Sequence, residues 1–193
     1  AYGPPELWTA DLAREVRETI LEPAARALVA EDSSFSGVLY AGLMITESGP
    51  KVVEFNCRPG DPEAQILMPM LETEFLDLCL AVAENRLSDI DVNWSDQPHV
   101  FVVAVSDGYP GSYSTGFEIS GINEASSSGV VFHAGTTMNA EDVLITSGGR
   151  VLGVSSTGTT IREAREAAYS GISKIDYEGI KYRSDIAARA VQD

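Results

Sequence analysis

Between Ser88 and Pro98 the chain reads Ser-Asp-Ile-Asp-Val-Asn-Trp-Ser-Asp-Gln-Pro, and neither helical nor strand periodicity survives the stretch. A chain interrupted there folds as two pieces on one backbone, residues 1–95 and residues 96–193. At 193 residues it is long enough for two small units or one large one, with a sizeable core. Apolar residues at 44% and charged residues at 22% exclude a disordered or collagen-like chain. The 29 acidic against 13 basic side chains leave a net charge of −16, which argues against a phosphate-tracking surface, so no nucleic-acid partner is expected. No apolar run approaches the roughly 18 residues that span a bilayer, so no membrane role is expected either. Cys57 and Cys79 are too few for a disulfide framework, which favours a reducing, cytoplasmic setting.

The opening Ala1-Tyr2-Gly3-Pro4-Pro5 reads as the later part of something longer. Leu12, Val16 and Ile20, continued by Ala24, Ala27 and Leu28, predict a helix over about Thr9–Glu31, kinked or restarted at Pro23. A hairpin follows: residues 37–46, a turn over 47–50, and a return over 51–56. Asp61-Pro62 has the form of an N-cap with proline at the first helical position. A helix over about 72–86 is expected to turn Phe75, Leu76, Cys79, Val82 and Ala83 inward. Past the break the pattern is mostly strand: 99–106, 117–119, 130–133 and 143–146. The last of these is expected to pair with 151–155 through a glycine turn. A helix over about 160–175 presents Ile161, Ala164, Ala168 and Ile172 to that sheet. Both halves read as α+β.

The densest chemistry lies in Glu54-Phe55-Asn56-Cys57-Arg58-Pro59-Gly60-Asp61-Pro62-Glu63. In a strand, Glu54 and Asn56 share one face with Cα atoms ~6.6 Å apart, while Val53 and Phe55 point into the other layer. A carboxylate beside an amide oxygen is a hard-oxygen pair suited to Mg²⁺ or Mn²⁺; the rival reading is an ordinary half-exposed strand. Arg58 follows two residues later as a planar donor for phosphate or carboxylate, or as a surface ion pair. Gly60 allows a tight turn with exposed N–H groups, and a helix start after Asp61 would offer its positive end to an anion. Asp61 also has a plain capping role. Cys57 reads as packing.

These residues and others resemble a known family. Tyr2–Pro5, Gly42-Leu43-Met44, the ten-residue motif from Glu54, Gly108-Tyr109-Pro110-Gly111, Phe132-His133-Ala134-Gly135-Thr136, Gly148–Leu152, Ala168-Tyr169 and Tyr182–Ile186 occur in that order. Together they resemble the C-terminal portion of the phosphoribosylamine–glycine ligases (glycinamide ribonucleotide synthetases) of the ATP-grasp superfamily. The resemblance implies that residues 1–95 complete an ATP-grasp domain and that 96–193 form a small mixed sheet-and-helix C-terminal domain. It implies ligation of glycine to 5-phosphoribosylamine at the expense of ATP, through glycyl phosphate, in purine synthesis. It assigns the metal to Glu54 and Asn56; Arg58, Gly60 and Asp61 are expected to bind substrate from their own chemistry, as an anion-binding guanidinium, turn and helix start. Met44, which shares a face with Tyr40 and Gly42, lies against adenine or else packs in a core. No side chain is assigned as a covalent catalyst.

Two departures stand out. Many ATP-grasp enzymes carry a second acidic ligand on the preceding strand, yet the position twelve residues before Glu54 is Gly42. The lysines and glycine-rich lid that such enzymes use for ATP are also missing, so the expected partner is the N-terminal part of the same enzyme. The rivals are a non-catalytic fragment or split subunit, and another ATP-grasp ligase. The Tyr109-Pro110-Gly111 and His133–Thr136 strings argue against the last. By itself His133 reads as a satisfied, partly buried histidine, and Arg183 with Asp185 as a structural pair.

Overall fold

The computed structural model describes residues 1–191. It separates into two compact units: Pro5–Ala64 with Leu71–Ser95, and Ala1–Pro4 with Gln65–Met70 and the chain from Asp96 onward. Both mix helices with antiparallel strands, so the α+β reading stands.

Strand β1 is the pair Tyr2–Gly3. Helix α1 (Ala10–Val16) begins where the Thr9 hydroxyl accepts the Leu12 N–H at 3.2 Å. The ladder widens into a π segment over Arg17–Leu21 before α2 (Glu22–Ala30). The expected interruption is therefore a wide turn ahead of Pro23, which brings no N–H to the ladder. Val16 is buried from the expected stripe, but Ala27 is exposed.

Strands β2 (Tyr40–Thr46) and β3 (Gly49–Asn56) form a two-stranded antiparallel hairpin. Gly42 pairs with Glu54 but Leu43 pairs with Val52, so Val53 is skipped as a bulge. Strict alternation placed Val53 toward a core; the bulge takes it out of register and it is 68% exposed. Residues 61–63 form a turn, and α3 (Ala64–Met70) starts only at Ala64, whose N–H bonds the Gly60 carbonyl at 2.9 Å. Pro62 is therefore not the first residue of that helix, and Asp61 stands three residues ahead of it. Helix α4 (Phe75–Ala83) also departs from expectation. Ala81 is buried and Val82 half-buried, while Phe75, Leu76, Cys79 and Ala83 are exposed. Periodicity groups side chains on one face, but it does not say what covers that face.

In the second unit β4 (His99–Ser106) runs through the centre of the sheet. After α5 (Ile122–Ala125) come β5 (Val130–His133), β6 (Thr136–Met138), β7 (Leu144–Thr146), β8 (Arg150–Thr157), α6 (Ile161–Ile172) and β9 (Ile180–Tyr182). The order β1-β4-β8-β5, with β9 on the end of β4, makes an antiparallel sheet. Val100, Val102, Val154, Ala164, Ala168 and Ile172 are all fully buried in its core. The expected hairpin between 143–146 and 151–155 does not form. β7 pairs with β6, and β8 runs between β4 and β5. The reason lies in a backbone crossing: a Cβ on Gly135 would sit 2.6 Å from the Gly148 Cα, and Ser147 N–H bonds the Gly135 carbonyl at 2.8 Å. Residues 117–119 are not a regular strand; Glu118 makes an isolated bridge to Ile145.

Candidate active site

The last three residues of β3 include Glu54 and Asn56. Alternation puts Glu54 and Asn56 on one face, and the Asn56 amide donates to Glu54 Oε1 at 3.0 Å. Opposite them on β2 stand Gly42 and Tyr40. Gly42 leaves no side chain against Glu54, which explains structurally why no acid pairs with it there.

Beyond β3 the chain doubles back. Gly60 is buried, and a Cβ there would fall 2.2 Å from Glu63 Oε2 and 3.1 Å from the Tyr40 ring. The glycine thus brings Glu63 under Tyr40. Burial raises the Tyr40 phenol pKa, helped by the charge of Glu63, its hydrogen bond to Glu63 and the charge of Glu54; Arg58 opposes the shift. Arg58 donates to the Pro59 carbonyl at 2.9 Å. Glu54, Asn56, Arg58, Gly60, Glu63 and Tyr40 are therefore neighbours, whereas Asp61 is exposed on the turn. Tyr40 and Glu63 were not singled out from sequence. The available signals were the place of Tyr40 on the Gly42 face and of Glu63 at the motif's end.

The helix after this turn has only seven residues, so it adds no strong positive end. Met44 is 59% exposed and opposes Lys51, so it is not packed in a core. Both cysteines are free and exposed. Among the described residues no group of three or more His, Cys, Asp or Glu side chains is placed to hold a metal ion. Glu54 and Asn56 therefore do not belong to a closed protein cage. Their donor set fits a hard cation that completes its shell with water and phosphate oxygens, with the amide turned to present its oxygen.

In the second unit, the motif loops mostly hold one another. The Tyr109 and Tyr113 rings meet edge-on at 6.1 Å, with Gly149 against Tyr109. His133 is exposed, not partly buried, and its Nδ1 pairs with Thr136 Oγ1 at 3.0 Å. Arg183 grips Asp185 with two hydrogen bonds, of 2.8 and 2.6 Å, which hold the Asp185 carboxyl below its ordinary pKa. The Tyr169 hydroxyl donates to the Arg183 carbonyl at 2.6 Å and accepts the Ile186 N–H, tying two sequence motifs together. No helix among the described residues is long and apolar enough to cross a membrane.

Comparison with known proteins bears on both units. Residues 1–64 match the ATP-grasp (A) domain of phosphoribosylglycinamide synthetase, and residues 99–189 match its C domain. A phosphoribosylamine–glycine ligase of Caldanaerobacter subterraneus is 49% identical over 174 residues, covering 90% of this chain and 41% of the relative. The Rhizobium meliloti ligase is 42% identical over 191 residues, covering 99% of this chain and 45% of its own length. The chain thus spans less than half the length of these relatives. The solved phosphoribosylamine–glycine ligase of Thermotoga maritima superposes with a TM-score of 0.85 at 32% identity, over 96% of this chain and 45% of that one. A biotin carboxylase domain from Hydrogenobacter thermophilus shares the fold alone, with a TM-score of 0.59 at 12% identity over 94% of this chain and 39% of that one. With both domain matches in order along the sequence, the chain belongs to the phosphoribosylamine–glycine ligase family, of which it carries ATP-grasp (A) domain sequence followed by the C domain.

Proposed function

We propose that this chain supplies the metal-binding and C-terminal portion of a cytoplasmic ligase that joins glycine to 5-phosphoribosylamine at the expense of ATP, through glycyl phosphate. The observation that carries the proposal is the hydrogen-bonded Glu54–Asn56 pair, with Arg58 and the Gly60 turn directly after it. Glu54 and Asn56 would hold Mg²⁺ or Mn²⁺, which when bound neutralises phosphate charge. Arg58 offers a planar guanidinium to a carboxylate or phosphate of the substrates, and the Gly60 turn brings backbone close to the same place. Asp61, at the turn's exposed corner, contributes to substrate binding in this reading. Met44 is the surface for adenine, its exposure on the Tyr40–Gly42 face being what supports that role. The Tyr40–Glu63 contact keeps the turn folded against β2, the partner of the strand that bears Glu54, so the side chains are oriented before substrate arrives.

A second reading is favoured by the exposed apolar faces of the hairpin and α4: the chain acts only with a complementary part of the enzyme. Both readings face one experiment in the full-length protein. Glu54→Gln keeps size and removes charge, so the Mg²⁺ concentration for half-maximal activity should rise and kcat should fall while the fold survives. Arg58→Lys should raise KM for glycine or phosphoribosylamine more than for ATP. A Glu54→Gln enzyme with an unchanged Mg²⁺ curve and a lowered melting point would make Glu54 structural and remove the basis of the proposal.

A further inference from the structure

The Tyr40 ring is wedged between two glycines. A Cβ on Gly60 would lie 3.1 Å from one ring edge, and a Cβ on Gly42 would lie 3.8 Å from the other. Tyr40 stands directly opposite Asn56 in the hairpin register, on the face that carries Glu54. Its hydroxyl donates to the Glu63 carboxylate, and the charges of Glu54 and Arg58 also act on it, so three charged groups surround one phenol. Glu63 follows Arg58 within the same turn, and a carboxylate so placed is the natural partner of a guanidinium. The structure shows a different pairing. Glu63 goes to Tyr40, while Arg58 Nη1 donates to the Pro59 carbonyl at 2.9 Å.

We infer that Tyr40 is a positioning residue that keeps Glu63 off Arg58, leaving the guanidinium available for a substrate carboxylate or phosphate. The inference rests on the functional reading above, which gives Arg58 that anion, and adds the residue that shields Arg58 from the turn's own acid. In a chain of net charge −16 an exposed arginine has many competing carboxylates, and Glu63 is built into its own turn. A phenol suits the task because it is a hydrogen-bond donor without charge at neutral pH: it holds the carboxylate and does not repel the guanidinium. Phenylalanine would fill the same space between the glycines but could not hold Glu63.

The test is steady-state kinetics in the full-length protein. Arg58→Lys first identifies the substrate whose KM depends on the guanidinium. Tyr40→Phe should raise that KM about tenfold, with the KM for ATP and the melting temperature little changed, because the released Glu63 pairs with Arg58. Glu63→Gln in the Tyr40→Phe background should return the KM to within about twofold of the parent value, since a neutral amide competes poorly for a guanidinium. A readout without turnover runs in parallel: labelling of Arg58 by a dicarbonyl reagent, followed by mass spectrometry, should fall in Tyr40→Phe and recover in the double variant. Should Tyr40→Phe melt early, Glu63→Asp replaces it. The shortened carboxylate leaves the phenol but keeps its charge, and the same rise in KM is expected. Tyr177→Phe, in the core of the other unit, should change neither KM nor labelling. A Tyr40→Phe enzyme with the parent KM overturns the inference. So does a raised KM that Glu63→Gln does not rescue, which would leave Tyr40 a purely structural side chain. If Arg58→Lys leaves every KM unchanged, the functional reading of Arg58 fails, while the labelling pattern still decides the role of Tyr40.

Discussion

Strands β3 and β8 each have eight residues and each lies in an antiparallel sheet, yet six residues of β8 are buried and none of β3 is. The difference is neighbours. β8 is flanked by β4 and β5 within a five-stranded sheet that α6 covers, while β3 has β2 alone. The contrast extends to the whole units. Among the described residues, Val16 and Ala81 are the only buried apolar side chains of the unit bearing Glu54, against a contiguous core in the other. The unit built on β4 and β8 covers its own hydrophobic faces, whereas the unit bearing Glu54 leaves its apolar faces open.

The sharpest way to break this comparison is to truncate one aliphatic side chain in each unit. Leu152, 1% exposed, should cost about 2–5 kcal/mol as Leu152→Ala, whereas Val53→Ala should stay within about 0.5 kcal/mol. Urea unfolding followed by circular dichroism measures both, and equal losses would mean that the hairpin is covered after all. Helix caps give the next largest effect. Thr160 caps α6 as Thr9 caps α1, each hydroxyl accepting an N–H at 3.2 Å. Thr160→Ala should lower the stability of the cored unit by about 1 kcal/mol. Thr9→Ala should speed amide exchange in the first turn of α1 without moving the main melting transition.

Tyr177 probes the core from inside. It is buried, its hydroxyl meets no hydrogen-bond partner among the described residues, and burial pushes its pKa up. Tyr177→Phe should leave stability unchanged or raise it by up to about 1 kcal/mol, and a clear fall in melting temperature would reveal a partner for the hydroxyl. The smallest effect is pH-dependent. Thr159 donates to Glu163 from its hydroxyl and its N–H, at 2.6 and 2.9 Å, which lowers the Glu163 pKa. A lowered carboxylate stabilises the fold above the ordinary glutamate pKa of about 4.3, and the contribution disappears as pH falls through the folded value. Glu163→Gln should therefore flatten the melting-temperature slope below about pH 4.3, and an unaltered slope would show that the contact is inert.

Much of this was legible along the chain. The helix over Ile161–Ile172 and strands His99–Ser106 and Val130–His133 follow from side-chain periodicity, because a buried face repeats at 3.6 or 2 residues whatever its partner. The proximity of Glu54 and Asn56 follows from the same alternation. Val53 escaped it because a bulge is one extra residue in a ladder, and nothing local in Lys-Val-Val-Glu marks which residue will be skipped. Tyr40 and Glu63 escaped because they lie 23 residues apart in sequence and meet only through the turn at Gly60.

By itself the sequence determined the order of elements, the family motifs and the face on which Glu54 and Asn56 stand, all consequences of local geometry. The tertiary structure alone decided which faces find cover. The inward face expected of α4 came out exposed, and β7 left β8 for β6 where Gly135 and Gly148 cross. Both outcomes depend on what else occupies the neighbouring space, because the hydrophobic effect rewards any covering surface and names none.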